Sequence, residues 1–246
     1  MIEIINLTKS FNGNQVLREA NLTIKDGETM VIIGRSGGGK TVLLKHMIGL
    51  MSPDGGQVFV DGQEVSRLKG KTLAQLRLTF GMLFQGAALF DSLTVGENVA
   101  FPLREHTPMN DAQAADRVRE CLSLVGLKGI EAMKPAELSG GMRKRVGLAR
   151  ALALEPRVIL YDEPTTGVDP IMADAINRLI KELHDRLKVT AVAVTHDMVS
   201  AYKIADRIAM LHEGRIVQVG TPEEIRYTAN PLVRKFVLGF SEEEKT

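Results

Sequence analysis

Eight consecutive residues, Gly34-Arg35-Ser36-Gly37-Gly38-Gly39-Lys40-Thr41, have types and spacing that point to one chemistry, the holding of a polyphosphate. Glycines let main-chain N–H groups converge on an anion with no Cβ in the way. A helix starting at the same point adds its unpaired donors and the positive end of its dipole. Lys40 supplies a mobile positive charge for the outer phosphates, and the Thr41 hydroxyl suits Mg²⁺. The flanks agree with this reading. The apolar run Met30-Val31-Ile32-Ile33 precedes the octet, and residues 42–50 place Leu43, Leu44, Met47, Ile48 and Leu50 at helical spacing. Strand, glycine-rich turn and helix form the setting in which GxxxxGK[ST] means phosphate binding.

Carboxylates follow at a distance. Val158-Ile159-Leu160-Tyr161-Asp162-Glu163 reads as a buried strand delivering two acids at its C-terminal end. Open α/β sheets bind ligands at that edge, so Asp162 is a candidate Mg²⁺ ligand. Glu163 can polarise a water for attack on a phosphoryl group. A second apolar strand, residues 189–195, ends at His196-Asp197 and repeats the arrangement, which makes His196 a candidate phosphate sensor. A second glycine-rich turn, Leu138-Ser139-Gly140-Gly141-Met142, opens a helix expected over 143–154 and is a second potential anion site. Arg143, Lys144 and Arg145 at the head of that helix read as a solvated charged face. Gln85 reads locally as a polar strand terminus, and Phe11 as a hairpin core residue.

The elements that must carry these groups alternate between sheet and helix. Residues 2–25 read as short strands about an Asn12-Gly13 turn, with Ile2, Ile4, Leu22 and Ile24 alternating with polar neighbours. Residues 57–62 read as a strand ending in a turn, and 78–84 as an apolar strand interrupted by Gly81. From 86 to 155 the pattern becomes helical, broken by Pro102, Pro108 and Pro135. There 111–125 sets Ala115, Val118, Leu122 and Val125 on one face. This stretch reads as a helical subdomain inserted into a sheet-based core. Two final strands, 207–211 and 216–219, flank a turn at 212–215. Thr221-Pro222-Glu223-Glu224 is a capping box, Leu232, Val233, Phe236, Val237 and Phe240 form a helical stripe expected to pack on its own domain, and 242–245 is expected to be a solvated end.

Composition narrows the classes. Of 246 residues, 44% are hydrophobic and 25% charged, with a net charge of +1, so a large core is available and no global basic field recruits nucleic acid. The single cysteine, Cys121, excludes an internal disulfide framework and a cysteine-based metal cluster, and it sits in a helix as a small core or flank residue. No apolar run approaches the roughly 20 residues that span a bilayer, and no secretory signal is expected at the N-terminus.

Taken in order, residues 34–41, Gln85, Leu138-Ser139-Gly140-Gly141, Asp162-Glu163, Asp169 and His196 resemble the ATP-binding-cassette (ABC) ATPase domain over essentially the whole chain. Within that superfamily, residues 85–95 and 138–146 are similar to the ATPases of Mla phospholipid transporters. The resemblance implies an α/β P-loop NTPase of ABC type: a RecA-like core sheet with an N-terminal antiparallel β subdomain and an inserted α-helical subdomain. In that division 1–246 is one domain, with a core of 1–85 and 156–220, a helical subdomain of 86–155 and a tail of 221–246. It further implies that Phe11 stacks on adenine, and that Gly34, Ser36, Gly37, Gly38, Gly39, Lys40 and Thr41 hold the phosphates of ATP. Thr41, Gln85 and Asp162 surround Mg²⁺, Glu163 is the general base, and His196 contacts the γ-phosphate. Ser139, Gly140 and Gly141 bind the nucleotide of a second copy of the chain, and Asp169 lies in a loop crossing the dimer interface. Implied partners are a second copy, integral membrane permease subunits, a STAS-domain accessory protein and a periplasmic lipid-binding protein, on the cytoplasmic face of the inner membrane and without nucleic acid. The competing expectations are a soluble ABC ATPase of the iron–sulfur assembly type, or a cassette serving another cargo such as an amino acid or lipoprotein.

Overall fold

A computed structural model describes residues 1–239; Phe240 of the tail stripe and the end at 242–245 lie outside the described residues. The chain divides into two compact units, Met1–Leu68 with the residues from Ala193 onward, and Lys69–Val192.

In the first unit β1 (Ile2–Phe11) and β2 (Asn14–Ile24) form an antiparallel hairpin. After β3 (Thr29–Ile33) and α1 (Lys40–Met47), β4 (Gly55–Val60) and β5 (Gln63–Glu64) complete a four-stranded sheet of order β2-β1-β4-β5. Two-residue connections with both φ angles positive match the twist of their flanking strands. Asn12 and Gly13 (49° and 81°) and Asp61 and Gly62 (49° and 77°) are built this way.

Plain alternation does not survive in the first hairpin. Burial steps from Ile4 to Leu7 in β1 and from Leu17 to Ala20 in β2, where the register slips. Asn6 and Glu19 sit there at φ 47° and 54°, as bulged residues do. The N–H of Asn6 donates to Asn21 Oδ1 at 2.9 Å, which gives it a partner beside the irregular ladder. The bulges put the apolar side chains back in phase, so both strands keep one buried face.

The same unit contains the C-terminal half of β8 (Thr190–Thr195), then α7 (Met198–Ile204), β9 (Arg207–His212) and β10 (Arg215–Gly220). β9 runs parallel to β3, pairing Met30 with Arg207 and Ile33 with Met210, and β10 returns antiparallel to β9. β3 is buried at every position, as expected of a parallel strand covered on both faces. Two short helices, α8 (Pro222–Arg226) and α9 (Pro231–Val237), close the described chain. Thr221 and Glu224 form the capping box read from sequence, and Val233 is the stripe residue that is fully buried.

The second unit holds α2 (Gly70–Leu78), β6 (Phe80–Leu83), α3 (Val95–His106), α4 (Asp111–Leu124), α5 (Gly140–Leu152), β7 (Val158–Asp162), α6 (Pro170–Leu187) and the N-terminal half of β8. β6 and β7 are parallel, from Phe80 opposite Val158 to Leu83 opposite Tyr161.

Several local expectations change. The strand expected at 78–84 begins only at Phe80, because Leu78 closes α2 and the Thr79 hydroxyl donates to Leu76 O at 2.7 Å. Pro102 does not break its segment but lies inside α3, where it gives up one intrahelical bond. The buried face of α4 runs through Ala114, Val118, Cys121 and Leu122, not Ala115, which is exposed. The first helix starts at Lys40 and stops at Met47 rather than spanning 42–50. Gly49, at φ 63°, ends it with a left-handed cap in which Leu50 N bonds Lys45 O at 2.9 Å and Gly49 N bonds His46 O at 3.1 Å.

Candidate functional site

The sequence-derived residues fall in both units, and each half has its own construction. In the first unit the loop between β3 and α1 holds the phosphate motif. Gly37 and Gly39 take φ 74° and 97°, a region that L side chains seldom adopt. Gly39 is the N-cap of α1, no side chain caps that helix, and no acid lies in its first turn. Its first N–H groups therefore face the loop as an anion cradle would require. Lys40 is buried, and its ammonium donates to Gly34 O at 2.9 Å and to Arg35 O at 3.1 Å, which folds the cation back over the loop. A Cβ on Gly39 would meet Val16 Cγ1 at 3.0 Å, so β2 packs against the loop without slack.

Phe11 ends β1 and is 39% exposed, contrary to the local reading as a hairpin core residue. The Lys9 ammonium lies 5.7 Å from its ring centroid and is fixed by Asp54 Oδ1 at 2.7 Å and Ser52 O at 2.9 Å. The bond from Lys9, with a second from Ser10 N–H, holds the Asp54 carboxyl below the usual carboxylate range. His196 follows β8 and is exposed, while its neighbour Asp197 caps α7 through Val199 N and Ser200 N.

In the second unit β7 delivers Asp162 and Glu163, both buried. Glu163 sits at φ 50°, an unfavourable region for a residue with a Cβ, at a cost of about 1–3 kcal/mol. Thr166 holds it twice: its hydroxyl donates to Glu163 Oε2 at 3.0 Å and its N–H to Glu163 O at 3.2 Å. The carboxylate is thus aimed by a turn that its own loop stabilises. Asp169 caps α6, accepting from Met172 N at 3.0 Å, with Pro170 at the first helical position.

The second glycine-rich turn, Leu138 to Met142, hereafter the signature turn, opens α5 at Gly140, three residues before the helix expected from sequence. Ser139 is the N-cap and accepts from Met142 N at 3.2 Å, which leaves its O–H to donate. No acid lies in the first turn, so the donors there face no competing carboxylate. A Cβ on Gly141 would come within 2.4 Å of Met172 Sδ, so the Met172 side chain would have to shift to admit one.

Lys144 overturns its expected role. It is 6% exposed, not on a solvated face, and its ammonium donates to Gln85 O at 3.0 Å and Glu163 O at 3.3 Å. Burial lowers its pKa, opposed by the negative charges of Glu163 and Asp162. Arg150, on the same helix, donates to Ala88 O at 2.7 Å and Ala87 O at 2.9 Å. Ala87 and Ala88 lie in the left-handed region at φ 61° and 47°. A helical charge pattern does not reveal which cation turns inward. The one available signal was the place of Lys144 directly behind the signature glycines.

The loop beyond Gln85 carries Leu89 and Phe90. Leu89 is half-buried, and the exposed pair is Phe90 (44%) with Phe101 (41%), whose ring centroids lie 4.9 Å apart with the planes tilted by 48°. Buried Asn98 pins the loop, accepting from Phe90 N at 2.8 Å and donating to Phe90 O at 3.1 Å and Thr94 O at 2.9 Å. Phe80, Phe84, Phe90 and Phe101 line a groove of about 360 Å³ with Arg150 at its wall.

The donor set fits a nucleotide–Mg²⁺ complex better than a free metal ion. Among the described residues there is no cluster of three or more histidine, cysteine or acidic groups able to cage a metal. Mg²⁺ is ordinarily held by one or two protein oxygens with phosphates and water, which a hydroxyl, an amide and a single carboxylate suit. A phosphate loop on a parallel-sheet fold with a second glycine-turn helix defines the class as a P-loop nucleotide-binding cassette.

The family model described as ABC transporter matches residues 17–166, and the chain belongs to that family, as its ATP-binding and hydrolysing cassette. It is 43% identical over 238 residues to a probable ribonucleotide transport ATP-binding protein of Mycobacterium tuberculosis, covering 97% of this chain and 66% of that one. The chain thus spans about two thirds of the length of that relative. It is 40% identical over 242 residues to the intermembrane phospholipid transport system ATP-binding protein MlaF of Haemophilus influenzae, covering 98% of this chain and 92% of the relative. An ATP-binding cassette solved as a dimer in a post-hydrolysis state with ADP and Pi superposes with a TM-score of 0.84 at 34% identity, over 90% of this chain and 99% of that one. No helix among the described residues is long and apolar enough to cross a membrane.

Proposed function

We propose that this chain powers a membrane permease through ATP-driven closure of a homodimer, and that the cargo is phospholipid. The observation that carries the cargo is the likeness to the phospholipid-system protein of Haemophilus influenzae along 92% of that relative's length. The name of the mycobacterial relative motivates a second reading, a ribonucleotide cargo.

In this reading Phe11 stacks on adenine, and Gly34 and Ser36 to Thr41 surround the phosphates. Lys40, already poised over the loop, binds the outer two. Thr41, Gln85 and Asp162 would hold Mg²⁺, which when bound would supply positive charge beside the phosphate oxygens. Glu163 takes the proton of the attacking water, its carboxylate aimed by Thr166. His196 binds the γ-phosphate. Ser139, Gly140 and Gly141 donate to the γ-phosphate held by the partner copy, and Asp169 lies beside them at the interface. Closure is favoured while those donors have a charged partner, and hydrolysis removes it.

Residues 86–155 act as the subdomain that senses the γ-phosphate through Gln85 and moves. A permease helix docks on the Phe90–Phe101 groove, whose loop Asn98 has already ordered, so little entropy is lost on binding. The assembly places the chain on the cytoplasmic face of the inner membrane, with a STAS-domain protein and a periplasmic lipid-binding protein as further members. Purification of the intact complex, with lipid analysis and ATP turnover in phospholipid vesicles, tests the cargo. Co-purified phospholipid and turnover that responds to phospholipid composition are expected. Turnover that responds to ribonucleotides and not to lipid contradicts the phospholipid reading.

A further inference from the structure

Helix α5 begins at the signature turn and grips two stretches of main chain far from it in sequence. Lys144 reaches the carbonyl oxygens of Gln85 and Glu163, at 3.0 and 3.3 Å, and Arg150 reaches those of Ala87 and Ala88, at 2.9 and 2.7 Å. Three of those four carbonyl-bearing residues, Ala87, Ala88 and Glu163, hold positive φ angles. Strained backbone of this kind persists only where its surroundings over-determine it, and here two cations from one helix join Thr166 in those surroundings.

Lys144 stands out because it is a cation taken out of water, with burial working against its charge and the Glu163 and Asp162 carboxylates working for it. Its hydrogen-bond partners are neutral carbonyls rather than carboxylates, and its neighbours along α5 are Val146, Gly147 and Leu148, all buried. A methionine would fill the same channel with no ammonium to desolvate. What methionine would lack is the two bonds, one to each strand of backbone that leads into the hydrolytic chemistry. Ser139 lies five residues before Lys144, about 7.5 Å along the helix axis, so the two ends of this path belong to one rigid segment.

We propose that Lys144 is a positioning residue: its ammonium fixes the main chain of Gln85 and Glu163 to the helix that carries Ser139, Gly140 and Gly141, so that the general base and the glutamine are aligned through that helix. Displacement of the signature turn when it engages a partner's phosphate is thereby delivered to the backbone of both residues. This rests on the roles proposed above for Glu163, Gln85 and Ser139.

The experiment compares Lys144→Met, Lys144→Arg and Glu163→Gln in the full chain assembled with its permease, with melting temperatures confirming that each is folded. Steady-state ATP turnover of the assembly gives kcat and KM, and ATP-dependent dimerisation of each full chain without the permease is followed by light scattering. Lys144→Met is expected to lower kcat about 10- to 100-fold, the usual consequence of a small misplacement of catalytic groups. KM and ATP-dependent dimerisation should stay within about twofold of their unaltered values, since Lys144 touches neither nucleotide nor partner in this reading. Lys144→Arg, which keeps a donor cation, is expected to recover most of the loss. Unchanged kcat in a folded Lys144→Met chain, a loss confined to KM, or no recovery with arginine overturns the positioning role. Should Lys144→Met fail to fold, Lys144→Leu, which also has no donor, takes its place with the same expectations. Near-normal turnover in Glu163→Gln instead sinks the underlying assignment of the base, whatever the lysine variants do.

Discussion

The phosphate loop and the signature turn are both glycine-rich and both open a helix, yet glycine serves them differently. In the phosphate loop Gly37 and Gly39 take positive φ angles, and the helix N-terminus has no side-chain cap. In the signature turn Gly140 and Gly141 are already helical, Ser139 caps the helix, and the Met172 side chain lies where a Cβ on Gly141 would go. Conformation is the constraint in the first and volume in the second. A ligand-binding turn can therefore be made by bending the chain around an anion, or by presenting an ordinary helix start with nothing in front of it.

The largest expected effect tests whether the chemistry lies with Glu163, on neither glycine turn. Glu163→Gln should retain ATP binding and lose about 10²- to 10⁴-fold in turnover, the usual worth of a general base. Lys40→Ala, by contrast, should lose nucleotide affinity as well, read by titration with a fluorescent ATP analogue. The comparison of the two turns is sharpened by paired alanines. Gly141→Ala should impair turnover and be substantially rescued by Met172→Ala, which clears the Sδ atom lying 2.4 Å from where the new Cβ would sit. Gly37→Ala has no such rescue, because nothing lies within 4 Å of its Cβ position and its φ of 74° is the obstacle. It should cost about 1 kcal/mol in denaturant unfolding. Rescue of Gly37→Ala by trimming a neighbour, or none for Gly141→Ala, would erase the distinction.

A smaller effect on the isolated chain is expected at the permease face. Phe90→Asp should leave folding and basal ATP turnover near normal while detaching the chain from its permease in co-purification. An intact, active complex would remove the Phe90–Phe101 groove from that role.

The smallest effect concerns His46, which is buried in the last turn of α1. Its Nδ1 lies 2.7 Å from Val42 O, and its Nε2 has no hydrogen-bond partner among the described residues. Burial lowers its pKa, and Lys9 adds to this while Asp54 and the carbonyls of Val42 and Ser52 oppose it. The folded chain therefore prefers neutral imidazole. Stability from this group is complete above the unfolded value of about 6.5 and is lost as pH falls from there toward the folded pKa. The melting temperature of the unaltered chain should fall more between pH 7.5 and 5 than that of His46→Leu. An equal fall in both would exclude the imidazole as the cause.

Legibility in sequence followed how local each feature is. The phosphate loop, the two carboxylates at the end of β7 and the signature turn are each contiguous in sequence and marked by glycines or by an apolar run ending in acid, so each could be read from local spacing. The hairpin turn at Asn12-Gly13 was equally plain, since a two-residue turn carries its own backbone signal. The bulges at Asn6 and Glu19 were not, because their φ angles restore a phase that only the paired strand defines. Nor was the burial of Lys144, whose partner Gln85 lies 59 residues away and whose charge reads locally as a solvated face. The continuation of α3 through Pro102 belongs with these. One lost hydrogen bond is outweighed by a capping box at Thr94 and Glu97 and by the apolar face of Val95, Val99 and Leu103, which are buried.

The most direct measurement is a structure of the Glu163→Gln chain trapped with ATP and Mg²⁺. The Ser139 hydroxyl is expected within hydrogen-bond reach, about 2.8 Å, of the γ-phosphate seated on the partner copy's phosphate loop. A trapped dimer in which Ser139 faces solvent, with each nucleotide enclosed by one copy alone, would contradict it.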